Sequence, residues 1–347
     1  METTLPPEAA VLIGRFQPFH NGHAALLTQA LASAPKVIVV LGSSFHARSA
    51  RNPFTWEERV AMIAGSLTEQ ERERVEFLPV RDYFDDQRWS AHVRSQVGSI
   101  AERVSLVAFF KDATSYYLNL FPDWPMISVD SPGEFDATTI RRILFEAEDI
   151  DTSLDVIAPL VPPNVRNYLR AWSLLPHYPL LVAEHKAIEA YKQSWKAAPY
   201  TPIFSTVDSV VTTAGHVLLI RRNGFPGKGL WAIPGGFVEP CERLLQAAIR
   251  ELGEETQLGV LAGSLSDAFC GVAVFDHPQR SQRGRTITHA HHFDLNTAQL
   301  PEVDGADDAA LAKWVPIDQL PAMEEQFFED HYHILDYFLK IRKEHTE

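Results

Sequence analysis

The chain has 347 residues, 46% of them hydrophobic and 22% charged, the make-up of a folded protein too long for one core, so two domains are expected. A formal net charge of −14 argues against a surface built for nucleic-acid backbone or anionic lipid, although a few local cations suffice for small anions. Two cysteines, Cys241 and Cys270, make no disulfide framework, the acidic start lacks a signal-peptide pattern, and the longest strongly apolar run, 37–41, is too short for a bilayer. A cytoplasmic protein with no nucleic-acid or membrane partner is expected, either monomer or homo-oligomer.

Short β-branched runs at 9–13, 36–41, 75–80, 104–110 and 126–129 predict buried strands. Amphipathic stretches at 22–34, 55–67 and 87–100 predict helices between them. Strands alternating with helices imply βαβ units and a parallel sheet, with a ligand site off the carboxyl ends of the strands. Prolines punctuate 159–179, and a helical pattern follows over 180–196, with Ile188, Tyr191 and Trp195 on one face. Strand patterns at 207–212 and 216–220 flank a turn, a long helix runs over 242–256, and further strands are expected near 268–275 and 286–295. This predicts an α/β protein: a Rossmann-like parallel-sheet domain over 1–178, a connecting helix over 179–200, and an α+β domain over 201–347.

Between the first strand and first helix lies Gly14-Arg15-Phe16-Gln17-Pro18-Phe19-His20-Asn21-Gly22-His23. A helix N-terminus there presents free N–H groups to phosphate, Gly14 and Gly22 permit close backbone approach, and His20 and His23 add two donors. In the string from Asp136 to Arg142, Thr138 is expected to cap a last helix and Arg141 to reach a polyphosphate from its first turn. Read alone, that second string is equally a capped surface helix.

These residues resemble the HxGH nucleotidyltransferases, and GRFQPFHNGH is similar to the archaeal-type nicotinamide mononucleotide (NMN) adenylyltransferases. The resemblance implies ATP and NMN as substrates, with His20, His23, Arg48 and Arg141 catalytic and Arg48 on the triphosphate. It implies that Gly14, Arg15, Phe16, Gly22, Asp82, Trp89, Lys111, Asp112 and Thr138 bind the nucleotides, with Asp82 and Trp89 at the nicotinamide end. The family's two serines before Thr138 are missing. In such enzymes the NMN phosphate attacks the α-phosphorus of ATP; a phosphate monoester is mostly dianionic at pH 7, second pKa about 6, and needs no general base. Catalysis is then positioning and charge neutralisation.

In the second half, Glu251, Glu254 and Glu255 lie at i, i+3 and i+4 on the long helix, so three carboxylates share a face and repel unless a hard cation such as Mg²⁺ or Mn²⁺ sits among them. Arg250 is placed to pair with Glu254 or to orient Glu242. Without its flanks this is an ordinary acidic face. With Gly235-Gly236, Glu242 and Arg250-Glu251 it resembles the Nudix box, whose late glycine is Gln257 here; altered loop geometry at the helix exit is expected. Cys241 stands where the box usually has glycine and reads as structural. The resemblance implies that Glu251, Glu254, Glu255 and Gly235 hold metal and that Glu255 is catalytic. Trp231 and the loop bearing Arg280, Arg283 and Arg285 look like ADP-ribose-directed Nudix domains, implying that these residues and Arg250 bind ADP-ribose; an exposed basic loop is the alternative. His289, His291 and His292 read as strand residues rather than metal ligands, and the acidic residues near Glu302, Asp304, Asp307, Asp308, Glu324 and Glu325 either contain the general base or are solvated loop. The order of domains matches bifunctional NMN adenylyltransferase/Nudix hydrolases. The alternative joins a transferase of another acceptor, nicotinate mononucleotide, to a non-catalytic ADP-ribose sensor.

Overall fold

A computed structural model describes residues 6–109, 113–129, 135–260 and 262–342. The chain divides into two compact units, Met1–Ala183 and Glu184–Glu347.

The first unit runs β1 (Ala9–Gly14), α1 (Asn21–Ser33), β2 (Lys36–Leu41), α2 (Trp56–Ala64), α3 (Glu69–Arg72), β3 (Val75–Pro79) and α4 (Asp86–Gly98). It continues with β4 (Val104–Ala108), a 3₁₀ segment over Ala113–Leu120, β5 (Met126–Ser128), α5 (Ala137–Glu146), α6 (Ile150–Ile157) and α7 (Pro163–Trp172). The five strands form a parallel sheet in the order β3-β2-β1-β4-β5. The run Val37–Leu41 of β2 is wholly buried, as expected of a strand covered on both faces. The order reverses beside β1, so the loops after β1, β2 and β3 gather at one edge, where doubly wound sheets bind ligands.

Helix entries follow side-chain caps. Thr55 and Glu58 close a reciprocal capping box on α2. On α5 the cap is Asp136, whose carboxylate accepts from Thr139 N at 2.9 Å, and not Thr138 as the sequence suggested. An acidic oxygen one turn ahead wins because it accepts the N–H and favours the positive helix end. Nor is α5 the last helix: α6 and α7 follow, and Pro163 begins α7 where a missing N–H costs nothing.

α8 (His177–Ser194) spans the division between the units. The second unit contains β6 (Ile203–Thr213), β7 (His216–Arg222), β8 (Trp231–Ala232), β9 (Gly235–Phe237) and α9 (Leu244–Thr256). Then come α10 (Ala262–Asp267), β10 (Phe269–Phe275), β11 (Arg285–Asp294), β12 (Ala309–Pro316) and α11 (His331–Leu339). Its mixed sheet runs β10-β11-β6-β7-β12, with β8 on β7 and β9 on β6, and β11 and β6 are parallel. Alternation along β7 sends Leu218 and Ile220 into a core with Leu252 of α9, and Val217 and Leu219 into one with Leu335 of α11. No helix among the described residues is long and apolar enough to cross a membrane.

Candidate active sites

The first site is built on the turn from β1 into α1. His20 is the N-cap of α1; its Nδ1 accepts from His23 N at 3.3 Å, and His23 Nδ1 accepts from His20 N at 3.4 Å. The rings stack with centroids 3.6 Å apart. Because each Nδ1 receives a backbone hydrogen, a neutral ring here carries its proton on Nε2, which in His23 is a donor for a ligand. Burial, then the neighbouring His20, holds His23 well below the usual imidazole range. A Cβ on Gly22 would meet the His20 ring at 3.1 Å and Phe135 at 3.2 Å, so the turn needs glycine there. Phe16 takes a left-handed φ of 52° and lays its ring across Gly14.

Other expected ligands are placed around this turn. Arg15 is exposed beside it, and its charge is felt at Asp82, Arg59 and Arg141. Arg141 is buried; it donates to Gln17 O at 2.6 Å and Thr138 Oγ1 at 3.2 Å, and burial lowers its pKa to about 10. It braces the loop rather than standing open to a polyphosphate. Arg48 is likewise committed, to both carboxylate oxygens of Glu58 at 2.5 and 2.9 Å and to Pro53 O at 2.8 Å. Asp82, just beyond β3, accepts from Ser43 Oγ at 2.8 Å and lies 3.3 Å from His46 Nε2. Burial works against its charge, and the His46 and Ser43 contacts outweigh that and lower its pKa. Trp89 packs edge-on against Tyr117, 6.3 Å between centroids. Lys111 and Asp112 lie outside the described residues.

The sequence reading missed Arg59. It is fully buried on α2 and donates to Arg15 O and Gly42 O, both at 2.7 Å, to Ser44 Oγ at 2.9 Å and to Thr55 O at 3.2 Å. One guanidinium thus ties together the ends of β1 and β2 and the start of α2. Its apolar helical neighbours and separation of 44 residues from Arg15 hide that role in the sequence.

The second site lies where β9 meets α9. Gly235 N donates to Glu255 Oε2 at 2.8 Å; a Cβ on Gly235 would meet Val207 O at 2.2 Å, and one on Gly236 the Glu251 carboxylate at 2.5 Å. The glycine pair is therefore a cradle for these two carboxylates. Glu255 is 3% exposed, and burial, reinforced by Glu251, raises its pKa to about 8. Burial also raises that of Glu251. Arg250 links the acidic set, donating to Glu242 at 2.6 and 3.0 Å, Glu254 at 2.8 Å, Glu251 at 3.0 Å and Phe237 O at 3.2 Å. Its hydrogen bonds bring Glu242 down to about 2. Among the described residues no three acidic, His or Cys groups are gathered as a ready metal cage. The donor set nevertheless fits a hard divalent cation: Arg250 occupies one oxygen each of Glu251 and Glu254, and the buried Glu255 and half-buried Glu251 carboxylates, both raised in pKa, gain most from a cation.

Gln257 corrects one expectation. It caps α9 at φ 46°, ψ 32°, with its N–H on Gly253 O at 3.0 Å, so the left-handed exit a glycine would make is kept. The arginine loop is also corrected. Arg280 is buried, chelating Asp330 with two 2.8 Å hydrogen bonds, and Arg285 bonds Asp276 O; neither is an open phosphate ligand nor a free basic loop. Arg283 lies over the Phe237 ring at 5.2 Å. Trp231 is on β8 with Arg221 5.6 Å from its ring. His291 Nδ1 is 2.9 Å from His289 O and His292 Nε2 3.1 Å from Thr212 Oγ1. Cys241 is exposed.

Residues 11–102 match the cytidylyltransferase-like family and residues 203–338 the NUDIX domain family. The chain is 39% identical over 147 residues to a nicotinamide/nicotinic acid mononucleotide adenylyltransferase of Acinetobacter baylyi, covering 41% of this chain and 78% of that protein. It is 34% identical over 128 residues to an ADP-ribose pyrophosphatase of Methanocaldococcus jannaschii, covering 36% and 70%. A solved bifunctional NMN adenylyltransferase/ADP-ribose pyrophosphatase from Francisella tularensis, complexed with AMP and a manganese ion, superimposes with a TM-score of 0.86 at 35% identity, covering 96% of this chain and 99% of that one.

Proposed function

The chain belongs to the bifunctional NMN adenylyltransferase/ADP-ribose pyrophosphatases, and on that premise we propose which residues carry each reaction and on which substrates. The first unit joins ATP and NMN into NAD and pyrophosphate. An NMN phosphate oxygen bonds to the α-phosphorus of ATP as the α–β bridge breaks, and pyrophosphate leaves with that bridging oxygen. The stacked His20–His23 pair carries the reading: both Nδ1 atoms are taken by backbone N–H groups, and His23, kept neutral by burial, offers its Nε2–H to phosphate at a helix N-terminus. Arg15 adds exposed charge. Arg141 and Arg48 shape the surrounding loops in this state and come to phosphate oxygens by exchanging Gln17 O and Glu58. Asp82 and Trp89 hold the nicotinamide end, and nicotinate mononucleotide is the competing acceptor.

The second unit hydrolyses ADP-ribose to AMP and ribose 5-phosphate: water bonds to one phosphorus as its bridging P–O bond breaks. Glu251, Glu254, Glu255 and the Gly235 backbone would hold Mg²⁺, with Mn²⁺ an alternative. A cation there supplies Lewis acidity toward the diphosphate. Gly235 N–H orients Glu255, and Arg250 spaces Glu251 from Glu254. Two cysteines without a disulfide role suit a cytoplasmic setting for both reactions.

Chromatography of products tests both assignments. With Mg²⁺, ATP plus NMN is expected to give NAD and pyrophosphate, and ADP-ribose to give AMP. No NAD would overturn the acceptor assignment; intact, bound ADP-ribose would make the second unit a sensor.

A further inference from the structure

In the first unit the Arg48 guanidinium is already filled by a carboxylate. Nη1 and Nη2 donate to the two oxygens of Glu58 at 2.5 and 2.9 Å, and Nη1 also to Pro53 O at 2.8 Å. A fork filled in this way cannot grip a phosphate at the same time, because both anions take the same pair of N–H groups. Contact of that fork with triphosphate therefore begins with the loss of Glu58. How hard the exchange is depends on which donors Glu58 keeps afterwards.

Glu58 keeps three supports. It is the third residue of α2, where the positive helix end favours its charge. Its Oε2 accepts from Thr55 N at 2.9 Å, one half of the α2 capping box. Its Oε1 accepts from the Trp172 indole Nε1 at 3.2 Å, across 114 residues of sequence. Trp172, on α7, is buried, with its ring centroid 4.6 Å from that of Phe54 and 4.8 Å from that of His177. Phe54 is in turn tied to the β1–α1 turn: its N–H donates to Gln17 Oε1 at 3.0 Å, and its carbonyl accepts from Gln17 Nε2 at 2.8 Å. The carboxylate thus has a fixed seat. Of the pair, the Arg48 side chain lies nearer solvent, 26% exposed against 14% for Glu58.

We propose that Glu58 is a positioning residue for the transferase: it holds Arg48 as a stand-in for phosphate and, seated by Thr55 and Trp172, releases it to ATP without being left a carboxylate with no donor. The inference rests on the reading above that Arg48 comes to phosphate oxygens. ATP affinity is then a contest between two anions for one guanidinium. Removing the charge of Glu58 strengthens ATP binding. Removing the Trp172 donor weakens it, because Glu58 then depends more on Arg48.

The test is calorimetric titration of the full chain with ATP and Mg²⁺, alongside initial rates of NAD formation. It compares wild type, Glu58→Gln, Trp172→Phe, the double variant and Arg48→Met. Glutamine keeps the capping box and an acceptor for Trp172 and loses only the charge. Glu58→Gln is expected to bind ATP roughly 3- to 10-fold more tightly, the size of one partly buried ion pair, and to lower the KM for ATP while that for NMN holds. Trp172→Phe is expected to weaken ATP binding roughly 2- to 5-fold, an effect that should vanish in the double variant, where the indole has no charge to hold. Unchanged or weaker ATP binding in Glu58→Gln overturns the positioning role, and so does an equal effect of Trp172→Phe in both backgrounds. Arg48→Met separates the two claims. If it weakens ATP binding while Glu58→Gln fails to tighten it, only the role of Glu58 falls. If it leaves ATP binding untouched, the Arg48 assignment falls and the role of Glu58 with it.

Discussion

Gln257 occupies a left-handed conformation that costs a residue with a Cβ about 1 kcal/mol relative to glycine. Gln257→Gly should therefore stabilise the second unit by roughly 1 kcal/mol in denaturant titration, and a destabilisation would show that its side chain makes compensating contacts. Glu255 gives a pH dependence whose sign follows from its raised pKa. With the folded value near 8 and the ordinary value 4.5, the folded, metal-free protein binds more protons than the unfolded chain. That contribution is complete below 4.5 and is lost as pH rises through about 8. In EDTA the melting temperature of the second unit should fall across this window, and added Mg²⁺ should protect most at its alkaline end. Glu255→Gln should flatten both trends. His331 acts in the opposite direction: buried, its Nδ1 accepting from Ile233 N at 3.0 Å, it is lowered to about 3. Stability tied to it is present above the usual 6.5 and declines as pH falls toward 3.

At the scale of elements, the first site depends on loops from separate strands being fixed together. Arg59→Met would leave the Arg15 and Gly42 carbonyls without their donor, costing roughly 2–4 kcal/mol, and should slow NAD formation more than it lowers ADP-ribose cleavage. Equal losses in both activities would mark Arg59 as a fold residue only. The same contrast explains what was legible in the sequence. Strands such as β2 and the β1–α1 turn are local: β-branched runs and a ten-residue motif set them without reference to distant chain. The carboxylates of α9 were legible because helical spacing fixes their face. The pairings of Arg59 with Arg15 and Gly42 and of Arg280 with Asp330 were not, since they join residues far apart in sequence. β12 and α11 escaped for a related reason, as Lys313 and the histidines of α11 blur their apolar periods, and prolines obscured α7 although Pro163 begins it.

For the whole molecule, the two sites lie in separate compact units and use different chemistry: donors on a helix N-terminus in one, carboxylates on a helix face in the other. The account therefore requires that each activity be removable alone. The most direct measurement is the initial rate of both reactions on the same preparations of wild type, His23→Gln and Glu255→Gln. His23→Gln should lower NAD formation by about 10²- to 10³-fold and leave ADP-ribose cleavage intact; Glu255→Gln should do the reverse. A variant that abolishes both activities while remaining folded, or one that abolishes neither, would contradict the assignment of two independent sites.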